Sequence, residues 1–117
     1  GLRFHVPMEK EQSLKEKRER NQEMFDFMME LLMECDRKFY LQLAGDDELI
    51  SALMDHLECM VLRLHSKMYT YNPILDAIKK ELVYEYEIAS FFMSKFAVKY
   101  GFNPTEDEIG FITFHID

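Results

Sequence analysis

A chain of 117 residues, 48% hydrophobic and 31% charged, has room for one packed core and the balance of a globular protein. Four glycines and three prolines are too few for the many turns of a β-sandwich or barrel. The net charge of −8 lies beyond residue 20, where eight Lys/Arg face eighteen Asp/Glu, and so acidic a body repels phosphate backbones and argues against direct nucleic-acid binding.

The opening GLRFHVPMEK has no clear period and contains Pro7, so residues 1–12 are expected to be a tail or linker remnant and 13–117 a single helical domain. A start on Gly1 without an initiator methionine is what a segment of a longer protein would show. From about Ser13 to Leu43 the spacing predicts one long helix, with Leu14, Met24, Met28, Leu31, Cys35 and Phe39 on its stripe. Its charged start, LKEKRER, alternates in sign and reads as a solvated face. Gly45 is a natural stop, and Asp46 or Asp47 a natural cap for the next helix.

A second helix is predicted over 47–66, with Leu49, Ile50, Leu53, Met54, Leu57, Met60, Val61 and Leu64 inward. Asn72-Pro73 then reads as N-cap and first residue of a short helix over 73–81. A fourth, over 83–100, buries Ile88, Ala89, Phe92, Phe96 and Tyr100 and stops at Gly101. Pro104 and Thr105 open the last helix, where Thr105 to Glu108 forms a capping box. The fold expected is all-α: a five-helix bundle with antiparallel helix pairs.

Cys35 and Cys59 lie inside helical patterns without metal-ligand spacing, so both are expected to be buried reduced thiols in a cytoplasmic protein. No apolar run approaches the ~20 residues of a membrane span, so no membrane association is expected. No signal peptide is evident.

Chemistry can reside in the histidines. At 100° per residue His56 falls roughly 90° to one side of its helix's stripe, with Arg63 on the same flank two turns on and Asp55 pointing outward. In the last helix Ile109, Ile112 and Ile116 form the stripe, while Glu108 and His115 share one flank. Packed antiparallel, the two helices set His56 level with His115 and Arg63 level with Glu108. Taken alone, such a border histidine is most simply a half-buried polar residue with one hydrogen bond. His5 lies in the tail and His65 off the stripe near a helix end. Metal spacing, a nucleophile elbow and a phosphate-cradling loop are all absent, so neither cofactor nor catalysis is expected.

DHLECMVLRL (55–64), NPILDAIKKEL (72–82), EYEIA (85–89) and PTEDEIGFITFHI (104–116) together resemble the PTS regulation domain, the regulatory module of bacterial sugar-operon antiterminators and activators. The family pattern is Asp-His-Leu, an Arg seven after that His, Asn-Pro-Leu, and a closing Pro, Glu-Ile and His. Here it is met by Asp55-His56-Leu57, Arg63, Asn72-Pro73-Ile74, and Pro104, Glu108-Ile109 and His115. Leu82-Val83 stands where such domains often have Tyr-Pro, which alters a turn and not the site.

The resemblance implies that His56 and His115 accept phosphoryl groups, with Asp55, Arg63, Asn72 and Glu108 as neighbours. It implies as donor the histidine phosphocarrier protein or a sugar permease's IIB component. It further implies a homodimer whose geometry switches, and a separate nucleic-acid-binding domain that reads the switch. Two alternatives stand beside it: a structural dimerisation bundle that is never phosphorylated, and a metal- or cofactor-binding helical enzyme.

Overall fold

A proline in the first turn of a helix forfeits no hydrogen bond, because the N–H it lacks has no intrahelical acceptor there. Pro7 occupies such a place in α1 (Val6–Arg20), in a computed structural model that describes residues 6–117, with side chains from Ser13 onward. Beyond it come α2 (Gln22–Phe39), a short 3-10 turn η1 (Leu43–Gly45), α3 (Asp47–His65), α4 (Leu75–Glu81), α5 (Val83–Tyr100) and α6 (Glu106–Ile116). No strand occurs among the described residues, and the chain is all-helical as expected. The described helices number six, not five. Residues 1–5 of the expected tail, His5 included, lie outside the described residues; residues 6–12 belong to α1 instead.

The extra helix arises because the long first helix is broken at Asn21. Its backbone leaves the helical region (φ −148°, ψ 77°), and its side-chain oxygen accepts the Met24 N–H at 3.2 Å as an N-cap. The helix also stops at Phe39, four residues before the expected Leu43. Tyr40 turns left-handed (φ 58°) and the Leu41 N–H returns to the Asp36 carbonyl at 3.1 Å. The Asp36 carboxylate then accepts the N–H groups of Leu43 (2.7 Å) and Ala44 (3.0 Å), shaping η1.

The α3 stripe is buried at all eight expected positions. Met28, Leu32, Leu53, Leu57, Met60, Ile88, Phe92, Phe96 and Ile112 meet in one core, and burying each such side chain contributes about 1.5–3 kcal/mol. α2 and α5 run antiparallel: Phe27 meets Phe96 and Tyr100, while Phe39 meets Tyr84 and Phe91. α3 and α6 also run antiparallel, since residue 56 sits beside 115 and residue 63 beside 108.

α1 is the exception. It lies parallel to α3, holding it through polar side chains instead of a stripe. Lys17 Nζ donates to the Ser51 carbonyl (3.1 Å), Ser51 Oγ (2.6 Å) and Asp55 Oδ2 (2.8 Å), and Arg20 donates to Glu58. The charge run expected to be a solvated face thus makes the contact with α3 through two of its cations.

α4 starts two residues later than expected. Asn72 still serves that start, its Oδ1 accepting the Ile74 N–H at 3.2 Å, and it is also buried against the start of α6: its N–H donates to Asp107 Oδ1 (3.1 Å) and its Nδ2 to the Asp107 carbonyl (3.4 Å). Opposite it, a Cβ on Gly110 would come within 2.7 Å of Asn72 Nδ2 and 3.1 Å of Leu75. Only glycine lets α4 and α6 approach this closely.

Candidate functional site

α3 turns two different flanks to its neighbours. Asp55 and Glu58 face α1, while His56 and Arg63 face α6. The position of α6 is set at its N-terminus, where Thr105 Oγ1 accepts the Glu108 N–H at 3.2 Å. The expected capping box is only half made. Its return bond, from the Glu108 carboxylate to the Thr105 backbone, gives way to a turn of that carboxylate toward α3.

Glu108 is fully buried, at 0% side-chain exposure, so its charge needs a partner. Arg63 supplies one: Nη1 lies 2.6 Å from Oε1, and Nη2 reaches Oε2 at 3.5 Å. The same Nη1 also donates to Thr70 Oγ1. His56 Nε2 lies 3.5 Å from Glu108 Oε2 and has no hydrogen-bond partner of its own, although the atom is buried. Burial alone would raise the Glu108 carboxyl, but the close approach of His56, the hydrogen bonds from Arg63 and the charge beside it hold it below the ordinary carboxylate value.

The two imidazoles meet edge to face, with ring centroids 5.3 Å apart and planes at 70°. Both rings are half-buried, and Phe111 walls the seam 6.4 Å from His56. Burial, and secondarily the neighbouring His56, lowers the pKa of His115 from its usual 6.5. His115 is therefore mainly the neutral imidazole at pH 7, with a nitrogen lone pair to offer.

Of the residues singled out in the sequence, His56, His115, Arg63 and Glu108 converge in this seam. Asn72 stands one step away and holds α6 through Asp107. Asp55 is not in the seam; Lys17 and Arg20 engage it on the other flank of α3. His65 lies apart, its Nε2–H donating to the Tyr100 carbonyl at 3.0 Å. Cys35 is buried as expected, but Cys59 is exposed on the outer face of α3. The sequence reading missed Thr70 and Phe111. Phe111 stands one turn before His115 and could have been found from that spacing, whereas Thr70 sits in an irregular connection with no periodic signal.

A carboxylate beside one imidazole, a cation paired with it and a second, neutral imidazole make a place for nitrogen-centred chemistry on an anionic group. Among the described residues no three His, Cys, Asp or Glu side chains are grouped to hold a metal ion, and no helix is long and apolar enough to cross a membrane. Searches of curated proteins and of solved structures each found no match. A family model, the PRD domain, matches residues 29–117, which takes in all of α3 to α6 and therefore the whole seam. The chain belongs to the PRD domain family, a family of regulatory domains.

Proposed function

We propose that this chain is a phosphohistidine switch: a regulatory domain of a bacterial transcription regulator, controlled by the sugar phosphotransferase system through His56 and His115. The observation that carries the reading is the meeting of both histidines with the Arg63–Glu108 pair in one half-buried seam of the matched family region. The donor is the phosphorylated histidine phosphocarrier protein or a permease IIB component. An imidazole nitrogen of the domain attacks the donor's phosphorus; a new N–P bond forms, the bond from phosphorus to the donor atom breaks, and its electron pair returns to that atom. Little is asked of the acceptor beyond an oriented imidazole with a nitrogen lone pair to offer; burial favours the neutral ring at His115, and at His56 the ring lies with Nε2 3.5 Å from the Glu108 carboxylate. Nε2 of His56 is enclosed, which leaves Nδ1 as the nitrogen a donor reaches first.

The product gains about −1.5 to −2 charge beside a buried carboxylate. That charge draws on Arg63 and loosens its pair with Glu108, so the α3–α6 packing answers to phosphorylation. Two copies associate near this seam, where the exposed Leu62 and Phe114 neighbour Arg63 and His115 in sequence, and the switch is a change in dimer geometry. A separate domain binds nucleic acid and reads it.

The test is transfer of label. With phosphoenolpyruvate and the phosphocarrier chain, the wild-type domain gains acid-labile phosphate. The combined His56→Ala, His115→Ala variant gains none, and His65→Ala leaves labelling intact. Labelling that persists in the double variant, or follows His65, refutes the assignment.

A further inference from the structure

We infer that the seam holds one phosphoryl group at a time, so that His56 and His115 are alternative acceptors and not independent ones. This rests on reading them as acceptors. Three observations on the seam carry it.

The first is distance. With ring centroids 5.3 Å apart, phosphoryl groups on both rings would lie within or close to one Debye length, about 8–10 Å at physiological salt, where solvent ions screen poorly. Two groups of about −1.5 to −2 charge at that range disfavour double occupancy by about five- to thirtyfold at the dielectric of water before screening.

The second is counter-charge. Arg63 is the cation paired with this seam among the described residues, and its Nη1 is already committed to Glu108 and Thr70. Its Nη2, held only at 3.5 Å, is the loosely used donor and suffices for one phosphoryl group. A second would face the buried Glu108 carboxylate and the first phosphoryl group with no cation left. Lys17 and Arg20 are engaged by Asp55 and Glu58 on the opposite flank of α3.

The third is space. The His56 side chain is only 19% exposed and Glu108 not at all, so an added group enters a seam with little open surface.

The experiment uses the full chain carrying His5→Gln and His65→Gln, which leaves two histidines. It is treated to saturation with potassium phosphoramidate, a small donor that needs no protein partner, and weighed intact at neutral pH. The folded chain is expected to gain a single phosphoryl group (~80 Da), with the doubly labelled form at about a fifth of it or less. In urea, where the rings are no longer held together, the same chain is expected to gain two. His56→Ala and His115→Ala in this background are each expected to take one, with His→Gln variants at either site if an alanine variant fails to fold. A doubly labelled folded chain as the main product overturns the inference while leaving both acceptors standing. A folded variant that keeps one of the two histidines and takes no label also overturns it, since only one residue would then be an acceptor. No label on any folded form removes the acceptor reading itself, and this inference with it.

Discussion

Asp55 and His56 are consecutive residues of α3, yet they stand in two electrical worlds. On the α1 flank the charges are numerous and opposite in sign, and each pair keeps at least one member open to water: Asp55 is 56% exposed and Arg20 54%, against 13% for Lys17 and 20% for Glu58. On the α6 flank there is one pair, and its carboxylate is wholly buried. Exposed pairs are screened and replaceable, whereas a buried charge that loses its partner has no water to fall back on. Density of charge is thus a poor guide to where the fold depends on it. The sparse flank is the sensitive one, and it is there that a change of charge can be felt by the whole bundle.

The sharpest way to break this contrast is Arg63→Met, which fills similar space and leaves Glu108 ionised and unpaired. A loss of about 3 kcal/mol is expected from urea denaturation, and a loss below about 1 kcal/mol would show that the flank is less demanding than its burial implies. Gly110→Ala separates packing from charge on the same flank. Its Cβ must push Asn72 and Leu75, so about 1–3 kcal/mol is expected with no charge altered. If Arg63→Met and Gly110→Ala together cost much less than the sum of their separate losses, the seam and the α4–α6 contact act as one unit.

Titration sharpens the comparison further. The folded pKa of His115 lies below its usual 6.5, so between those values the unfolded chain binds more protons than the folded one. Its contribution to stability is present above pH 6.5 and is lost as pH falls through the folded value. Glu108, held below the usual 4.5, adds a second decline at lower pH. Melting temperatures across this range should show the first decline in the wild type and a weaker one in His115→Gln. The smallest effect belongs to the α1 flank. Asp55→Asn should cost about 0.5 kcal/mol, and less again at high salt. His56→Ala, lacking a core cavity, should stay within about 1 kcal/mol.

Two helices were legible in the sequence, α3 from its apolar stripe and α5 from the Gly101 stop signal. α3 carries its eight inward residues where periodicity put them, and α5 has the bounds expected of it. The antiparallel meeting of α3 and α6 could be anticipated because the pairs 56/63 and 108/115 share a seven-residue spacing. What escaped was decided by side chains bonding to backbone. Asn21 splits a continuous helical pattern, although an Asn followed by Glu23 in the first turn is a readable start signal. Tyr40 ends α2 in a left-handed conformation that its residue type does not announce, because the Asp36 carboxylate gathers the N–H groups beyond it. The α1–α3 contact had no apolar stripe to reveal it, and Asn72, which holds the helix start as its pattern implies, is also used across the gap to α6. Cys59 looked inward by residue type, but α3 had already filled its inner face.

That pair of cysteines gives the molecule a built-in reporter. Burial pushes the Cys35 thiol up to about 12, so at pH 8 only about one molecule in ten thousand carries it as the reactive thiolate, and no reagent reaches it. Cys59 is open to solvent on α3, three residues beyond His56. A maleimide dye or spin label added to the unaltered chain should therefore attach at one place, on the helix that bears the candidate acceptor. Rotation or tilt of α3 could then be followed in real time without a single engineered residue.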